Sequence, residues 1–314
     1  VMKSYWGLII ALLSESLFYL IISYKIHPYR PKLQFKWVLF KELYSFSGWI
    51  QLKNITSWLA SSLDTAIVGN ILGTNKLGTY NRAQTVAAYP RLLINNVVDS
   101  VAFPLYAKVN DSHEKMQNVF DKIQDVIIIL TGAMSILFIA FGHQIILMIL
   151  GGKWVEMVNP FKLLFVAYSI QTLLLSFIPV LRSYGLTKQE FVIYVIQICL
   201  MVVLLYYLVG RYDLLGAGLA MLICVFVLFP GMIYYVNKKT GLKMKHYLES
   251  LCVTIIAVGS ISYMLSLIDL SSHPLLLWAG EAFVSCLVYC VILILAGVFL
   301  KIGPGIQLLS IVKK

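Results

Sequence analysis

Charge is scarce in this sequence. Only 12% of its 314 residues are Asp, Glu, Lys or Arg, about half the roughly 25% usual in a soluble domain. With 60% of residues apolar and a mean hydropathy of +0.85, the chain has too little polar surface to cover itself in water, which excludes an ordinary soluble globular protein. Cysteine is scarce as well. Cys199, Cys224, Cys252, Cys286 and Cys290 all sit inside apolar blocks without CxxC or metal-ligand spacing, which argues against disulfides and a zinc site. No HExxH, GxSxG or P-loop occurs, so hydrolase and ATPase readings have no support and no cofactor is expected. His27, His113, His143, His246 and His273 fall in loops or near the ends of apolar runs. Strict apolar/polar alternation is missing too, which excludes a transmembrane β-barrel.

What the chain has in place of these is apolar blocks about as long as a helix needs to cross ~30 Å of hydrocarbon. The apolar pattern predicts nine spans: 4–24, 45–72, 84–109, 123–150, 158–181, 191–209, 214–236, 247–268 and 275–300. Pro90 and Pro104 interrupt the third, Pro179 the fifth and Pro230 the seventh, as membrane helices tolerate where neighbours satisfy the freed carbonyls. The fold class read from this is all-α, a polytopic transmembrane helical bundle. Alternate loops hold 17 Lys and Arg residues against 4 in the loops between them. By the positive-inside rule Val1 is then external and the C-terminus cytoplasmic. The same rule reads the net charge of +11 as topology, and no Arg/Lys run with interleaved aromatics suggests nucleic acid. A chain opening Val-Met-Lys directly before an apolar block is expected to lack upstream residues. The longest connector, about 25–44, is basic and contains an amphipathic run over 35–43, which reads as an interfacial helix or a simple tether.

Ionisable groups inside spans are costly, so they face a cavity, a partner or water. In the second span Lys53, Ser57, Ser61 and Asp64 follow one another at i, i+4, i+8 and i+11, on one helix face, and Asn54 widens the stripe. In the third span Gln84, Ala88, Arg91, Asn95 and Asp99 repeat the pattern, with Asn96 beside it. Two salt bridges would suffice to glue the helices together. Hydroxyls, amides and both charge signs exceed that need, because every extra polar group must itself be satisfied. The expected arrangement is a hydrated cavity lined by Lys53, Asn54, Ser57, Ser61, Asp64, Gln84, Arg91, Asn95 and Asp99. Weaker signals are Glu15 with Ser14 and Ser16, then Gln171 and Gln197. Glu281 receives no role.

The second and third spans also carry a family pattern. Phe46-Ser47-Gly48, then Leu63-Asp64-Thr65-Ala66-Ile67-Val68-Gly69-Asn70-Ile71-Leu72-Gly73, then Leu77-Gly78-Thr79-Tyr80-Asn81-Arg82-Ala83 resemble the polysaccharide transporters of the MOP flippase superfamily. The resemblance is nearest to the Wzx-type lipopolysaccharide, O-antigen and capsule flippases, on the WzxC-like branch. Phe103-Pro104 with Asp111, Gly151-Gly152-Lys153-Trp154 and the connector Pro28-Tyr29-Arg30-Pro31 are similar to further family elements. Arg91 stands where the family pattern is mostly apolar, beside Pro90, so any role it has is specific to this chain.

The resemblance implies a MATE-like fold with about nine of fourteen expected spans. Residues 1–24 would be the last helix of an N-terminal lobe and 25–44 a cytoplasmic connector. Residues 45–236 would form the C-terminal six-helix lobe, 247–300 two additional helices and 301–314 a cytoplasmic tail. It further implies a bacterial inner (plasma) membrane protein, not an enzyme. Its task would be to flip undecaprenyl-diphosphate-linked oligosaccharide repeat units to the external leaflet. Its partners would be that lipid-linked oligosaccharide, membrane lipids and polysaccharide polymerase machinery. Lys53 and Arg91 become candidates for the diphosphate or acidic sugars, and Asp64 and Asp99 for charge balance or ion coupling. The alternatives are a multidrug exporter of the same superfamily, against which the basic cavity residues argue, and a polysaccharide polymerase or ligase. The latter usually has a large external loop, whereas the longest here is about ten residues.

Overall fold

The computed structural model describes residues 5–27, 36–109, 112–267 and 275–300. Among them the regular structure is helical throughout. The elements are α1 (Tyr5–Ile26), α2 (Trp37–Val109), α3 (His113–Ala140), α4 (Gly142–Leu150), α5 (Val158–Leu173), α6 (Phe177–Ser183), α7 (Thr187–Thr240), α8 (Lys245–Ser266) and α9 (Leu275–Leu300), with a 3-10 segment Gly152–Met157 between α4 and α5. They fall into two compact units, one within Val1–Ser45 and one within Phe46–Lys314. The connector element Pro28–Pro31, residues 1–4, Asp111 and the tail 301–314 lie outside the described residues, as does the Phe103 side chain. In the first unit Trp37, Phe40 and Tyr44 stack in turn along one face, ring centroids 5.5 and 5.4 Å apart. The amphipathic run is from Trp37 onward the start of a long helix.

The two longest helices of the second unit are hairpins. Inside α2 the backbone leaves helical geometry at Gly73, with φ 80° and ψ 171°, a conformation open mainly to glycine. The chain then returns alongside itself: Tyr80 and Gln84 reach back to Asp64. Inside α7 the corresponding apex is Asp213, with φ 57° and ψ −137°, where the Asp213 carboxylate accepts a bond from the Leu214 N–H at 2.8 Å. Below that apex the arms pack so closely that a Cβ on Gly216 would run into the Leu208 carbonyl oxygen. Each hairpin supplies two of the spans read from the sequence, and the third span begins directly after Gly73 rather than near Gln84.

The fourth and fifth spans are each broken in the structure. Phe141 separates α3 from α4. α5 ends at Leu173 and α6 starts at Phe177, which puts Pro179 in a first turn, where its missing N–H costs nothing. Five helical segments among the described residues are long and apolar enough to cross a membrane: Ile9–Ile26, His113–Ala140, Gly152–Ser183, Thr187–Thr240 and Lys245–Leu265. The 54-residue Thr187–Thr240 is the α7 hairpin and crosses twice. The α2 arms carry the polar stripes that lower their hydropathy. The chain is a polytopic helical membrane protein.

Packing is layered along the hairpins. Near the Gly73 and Asp213 apices, Ile67, Val68, Tyr80, Leu205, Val209 and Phe161 are buried together. Toward the other end, Ile94, Val98, Phe177, Val180, Met232 and Val236 form a second apolar layer. A third cluster joins α3 to α8 and α9 through Ile136, Ala257, Ile261 and Tyr289. Several polar residues of the hairpins, among them Asp64, Gln84, Arg91 and Glu190, line a space between the first two layers.

Candidate functional site

A cavity of about 270 Å³ opens between the two apolar layers, walled by α2, α5, α6 and α7. Ser57, Asp64, Gln84 and Arg91 reach it from α2, Tyr168 and Gln171 from α5, and Glu190, Tyr194 and Gln197 from α7. Apolar residues such as Leu174, Ile178, Met201, Met221 and Leu228 complete the wall. A mostly apolar cavity with a few convergent polar groups is the usual form of a small-molecule site.

Two charged centres define its chemistry. At the first, Asp64 is 6% exposed and is held by neutral donors. The Tyr80 hydroxyl donates to both carboxylate oxygens at 3.0 and 2.9 Å, and Gln84 Nε2 donates at 3.0 Å. All three residues belong to the α2 hairpin. Arg91 lies further along the same arm as Gln84, with Cζ 5.9 Å from the centre of the Tyr168 ring. At the second centre, Glu190 in the first turn of α7 is buried between two cations. Arg182 binds it in a fork, Nε to Oε2 at 2.9 Å and Nη2 to Oε1 at 2.8 Å. Lys53 Nζ stands 3.7 Å from Oε1 and 4.8 Å from the centre of the Tyr194 ring. The first turn of a helix favours a carboxylate electrostatically, and the fork is the strong geometry of an Arg–carboxylate pair.

Of the nine residues expected to line the cavity, Ser57, Asp64, Gln84 and Arg91 do so. Lys53 borders it through Glu190 and Tyr194. Asn54 is exposed and does not line it, being one residue off the stripe. Asn95 is half-buried beyond the cavity, near the second apolar layer. The Ser61 and Asp99 side chains lie outside the described residues. Gln171 and Gln197, the weaker signals, both face the cavity.

Sequence reading missed Tyr80, Tyr168, Tyr194, Arg182 and Glu190. The tyrosines pass as apolar residues in any hydropathy pattern. Arg182 near the end of α6 and Glu190 in the first turn of α7 flank the short α6–α7 connection, where the sequence reads charges as loop. Their spacing of eight across Gly185, whose φ is +71°, was the available signal. Among the described residues no group of His, Cys, Asp and Glu is arranged to hold a metal ion.

Comparison with known proteins places this chain in a family. A family model described as "Polysaccharide biosynthesis protein" matches residues 1–159, half of the chain. Lipopolysaccharide biosynthesis protein WzxC of Escherichia coli (strain K12) is 29% identical over 136 residues, 43% of this chain and 28% of that protein. A putative O-antigen transporter of Shigella flexneri is 24% identical over 189 residues, 60% of this chain and 45% of its own length. Succinoglycan biosynthesis transport protein ExoT of Rhizobium meliloti (strain 1021) is 23% identical over 180 residues, 57% of this chain and 36% of its own. The chain thus spans less than half the length of these relatives. The resemblance carried by the second and third spans is borne out, and the matched half contains the whole α2 hairpin with Asp64, Tyr80, Gln84 and Arg91. The chain belongs to the polysaccharide biosynthesis protein family.

Proposed function

We propose that this chain is part of a Wzx-type exporter that moves undecaprenyl-diphosphate-linked oligosaccharide units from the cytoplasmic to the external leaflet of the bacterial inner membrane. The product would feed lipopolysaccharide, capsule or exopolysaccharide synthesis. The observation that carries this reading is a cavity with convergent polar and charged groups between two apolar layers of a membrane-embedded bundle, lined by Arg91 and bordered by Lys53. A sugar headgroup cannot cross hydrocarbon unaided, and a midplane cavity with charged walls supplies the missing solvation. The lipid tail stays in the bilayer throughout. On this reading the Gly73 and Asp213 apices face outward and the Arg182 end faces the cytoplasm, with the C-terminus cytoplasmic. Polymerase machinery is the downstream partner, and the chain acts by transport rather than catalysis.

The test is surface polysaccharide in a host whose own copy of the complete protein is replaced by Lys53→Ala and Arg91→Ala forms. Both substitutions are expected to reduce it roughly tenfold, the scale of losing one charge contact to an anion. Unchanged surface polysaccharide and unchanged flipping would show that the cations have no such role. One observation favours a second reading, a cation-coupled multidrug exporter: among the described residues Asp64 is hydrogen-bonded only by neutral groups. Dye or drug resistance conferred by expression would support that reading.

A further inference from the structure

The turn that joins α7 to α8 gathers lysine. Lys238, Lys239, Lys243 and Lys245 are all exposed there, and Glu249 is the one acidic residue between positions 237 and 250. It stands 3.8 Å from Lys245 Nζ, in an exposed pair of a kind worth little in water. Among the described residues no other carboxylate pairs with any of the four lysines. Topology accounts for lysines at the end of a span, but not for the backbone fixed beneath these. α7 is capped by Gly241, φ +73°, whose N–H donates to the Asn237 carbonyl at 2.8 Å. Asn237 Nδ2 donates to the Leu242 carbonyl at 2.7 Å. From α3, Gln117 takes both backbone groups of Lys243. Its Oε1 accepts from the N–H at 2.7 Å and its Nε2 donates to the carbonyl at 3.0 Å. Leu242 and Met244 are buried, which leaves Lys243 and Lys245 facing outward together.

The depth of this turn follows from its neighbours. Phe226, Val227 and Tyr234 are exposed along the arm of α7 that leads to it, and the Tyr234 ring centre lies 5.7 Å from Lys238 Nζ. An exposed tyrosine at the end of an apolar run marks the level of lipid headgroups. The lysines just beyond it therefore stand at the depth of phosphates, where each favours an anionic surface. We propose that the α7–α8 turn is a binding site for the phosphate headgroup of an anionic phospholipid, whose acyl chains lie along the exposed apolar face of α7. Gln117 is its positioning residue: by fixing Lys243 it spares the bound state the cost of ordering the turn. None of these residues lines the cavity, and the site does not depend on the transport reading.

The probes are phosphatidylglycerol and phosphatidylcholine, added over a concentration series to the purified chain in a neutral detergent, with bound lipid counted by native mass spectrometry. Phosphatidylglycerol is expected to bind more tightly than phosphatidylcholine. The pair Lys238→Gln and Lys239→Gln, and separately the pair Lys243→Gln and Lys245→Gln, are expected to lower that preference by about fivefold per lysine removed. Lys153→Gln, at an exposed lysine outside the turn, is expected to leave it unchanged. Gln117→Ala keeps every lysine but frees the turn, and is expected to weaken phosphatidylglycerol binding about threefold. Asn237→Ala loosens the same turn from α7 and replaces Gln117→Ala if that variant does not fold. A loss from Lys153→Gln equal to that from each turn lysine, or no loss on freeing the turn, would mean diffuse attraction and overturn the proposal. A preference that survives removal of all four lysines would overturn it as well. Displacement of the lipid by an equal concentration of inorganic phosphate would make this a site for a free anion rather than a lipid, and the proposal would again fail.

Discussion

Asp64 and Tyr80 lie sixteen residues apart, on opposite arms of one hairpin, and the Tyr80 hydroxyl donates to both oxygens of the Asp64 carboxylate. Tyr80 itself is fully buried. Each group is therefore the answer to the other's desolvation, and removing one strands its partner.

Tyr80→Phe is accordingly expected to destabilise the protein by about 1–3 kcal/mol, the cost of an unsatisfied buried polar group. Asp64→Asn also costs stability, but the double variant costs less than the two single changes summed, since both act on one network. Unfolding midpoints of the four proteins in one detergent complete the cycle. Additive costs would mean that the bond carries no stability.

Arg182 is the main partner of a buried carboxylate. Arg182→Ala leaves Glu190 with Lys53 at 3.7 Å and is expected to cost about 3 kcal/mol, the range for breaking a buried ion pair from one side. Adding Glu190→Gln to Arg182→Ala recovers only part of that loss: the buried carboxylate charge is gone, but Lys53 loses its counter-ion and keeps the face of Tyr194. The measurement is again thermal or denaturant unfolding, and a double variant less stable than Arg182→Ala would contradict the assignment.

The apex of the α7 hairpin separates backbone strain from charge. Asp213 holds a positive φ and pairs with Lys76, a contact between partly exposed groups worth at most about 1 kcal/mol. Asp213→Ala loses the pair and keeps the strained backbone, whereas Asp213→Gly loses the pair and relieves it. The glycine variant is expected to be the more stable of the two by about 1 kcal/mol. Equal stabilities would show that the backbone relaxes at this site.

A tighter contact joins α3 to α9. A Cβ on Gly132 would run into the Tyr289 hydroxyl, and that hydroxyl faces the Ile128 carbonyl at 3.4 Å. Gly132→Ala is expected to cost about 1–3 kcal/mol through overpacking. Tyr289→Phe in the same chain removes the obstructing oxygen and recovers part of the loss. Failure of that rescue would locate the clash elsewhere, against Thr254.

The helical bundle was legible in the sequence because lipid imposes one rule over about twenty residues at a time, and that rule survives local irregularity. Nine apolar runs therefore map onto the described helices although α3 breaks at Phe141 and α5 at Leu174. The site was legible only in part. Lys53, Ser57 and Asp64 share a helical stripe, which periodicity reveals, but the partner of Lys53 is Glu190, 137 positions away on another hairpin. No local pattern encodes that distance. Asp64 paired with an aromatic hydroxyl rather than a cation for a related reason: Tyr80 is placed opposite it by the turn at Gly73, and its register follows from counting back from that glycine. Asn54 failed because a stripe one residue wide already fills the space between neighbouring helices.

The α2 hairpin has one more consequence, which concerns how such a chain enters a bilayer. Asp64 receives its donors from Tyr80 and Gln84, both within the same pair of arms. Once the turn at Gly73 has closed, the most hydrated side chain of this pair already has its donors, before α5 or α7 has been synthesised. The carboxylate enters the lipid with its solvation shell built from its own hairpin. The ion cluster at Glu190 differs, because Lys53 must wait for a hairpin made more than a hundred residues later. The bonds to Asp64 thus need only the α2 hairpin, whereas the Glu190 cluster needs α2, α6 and α7 together.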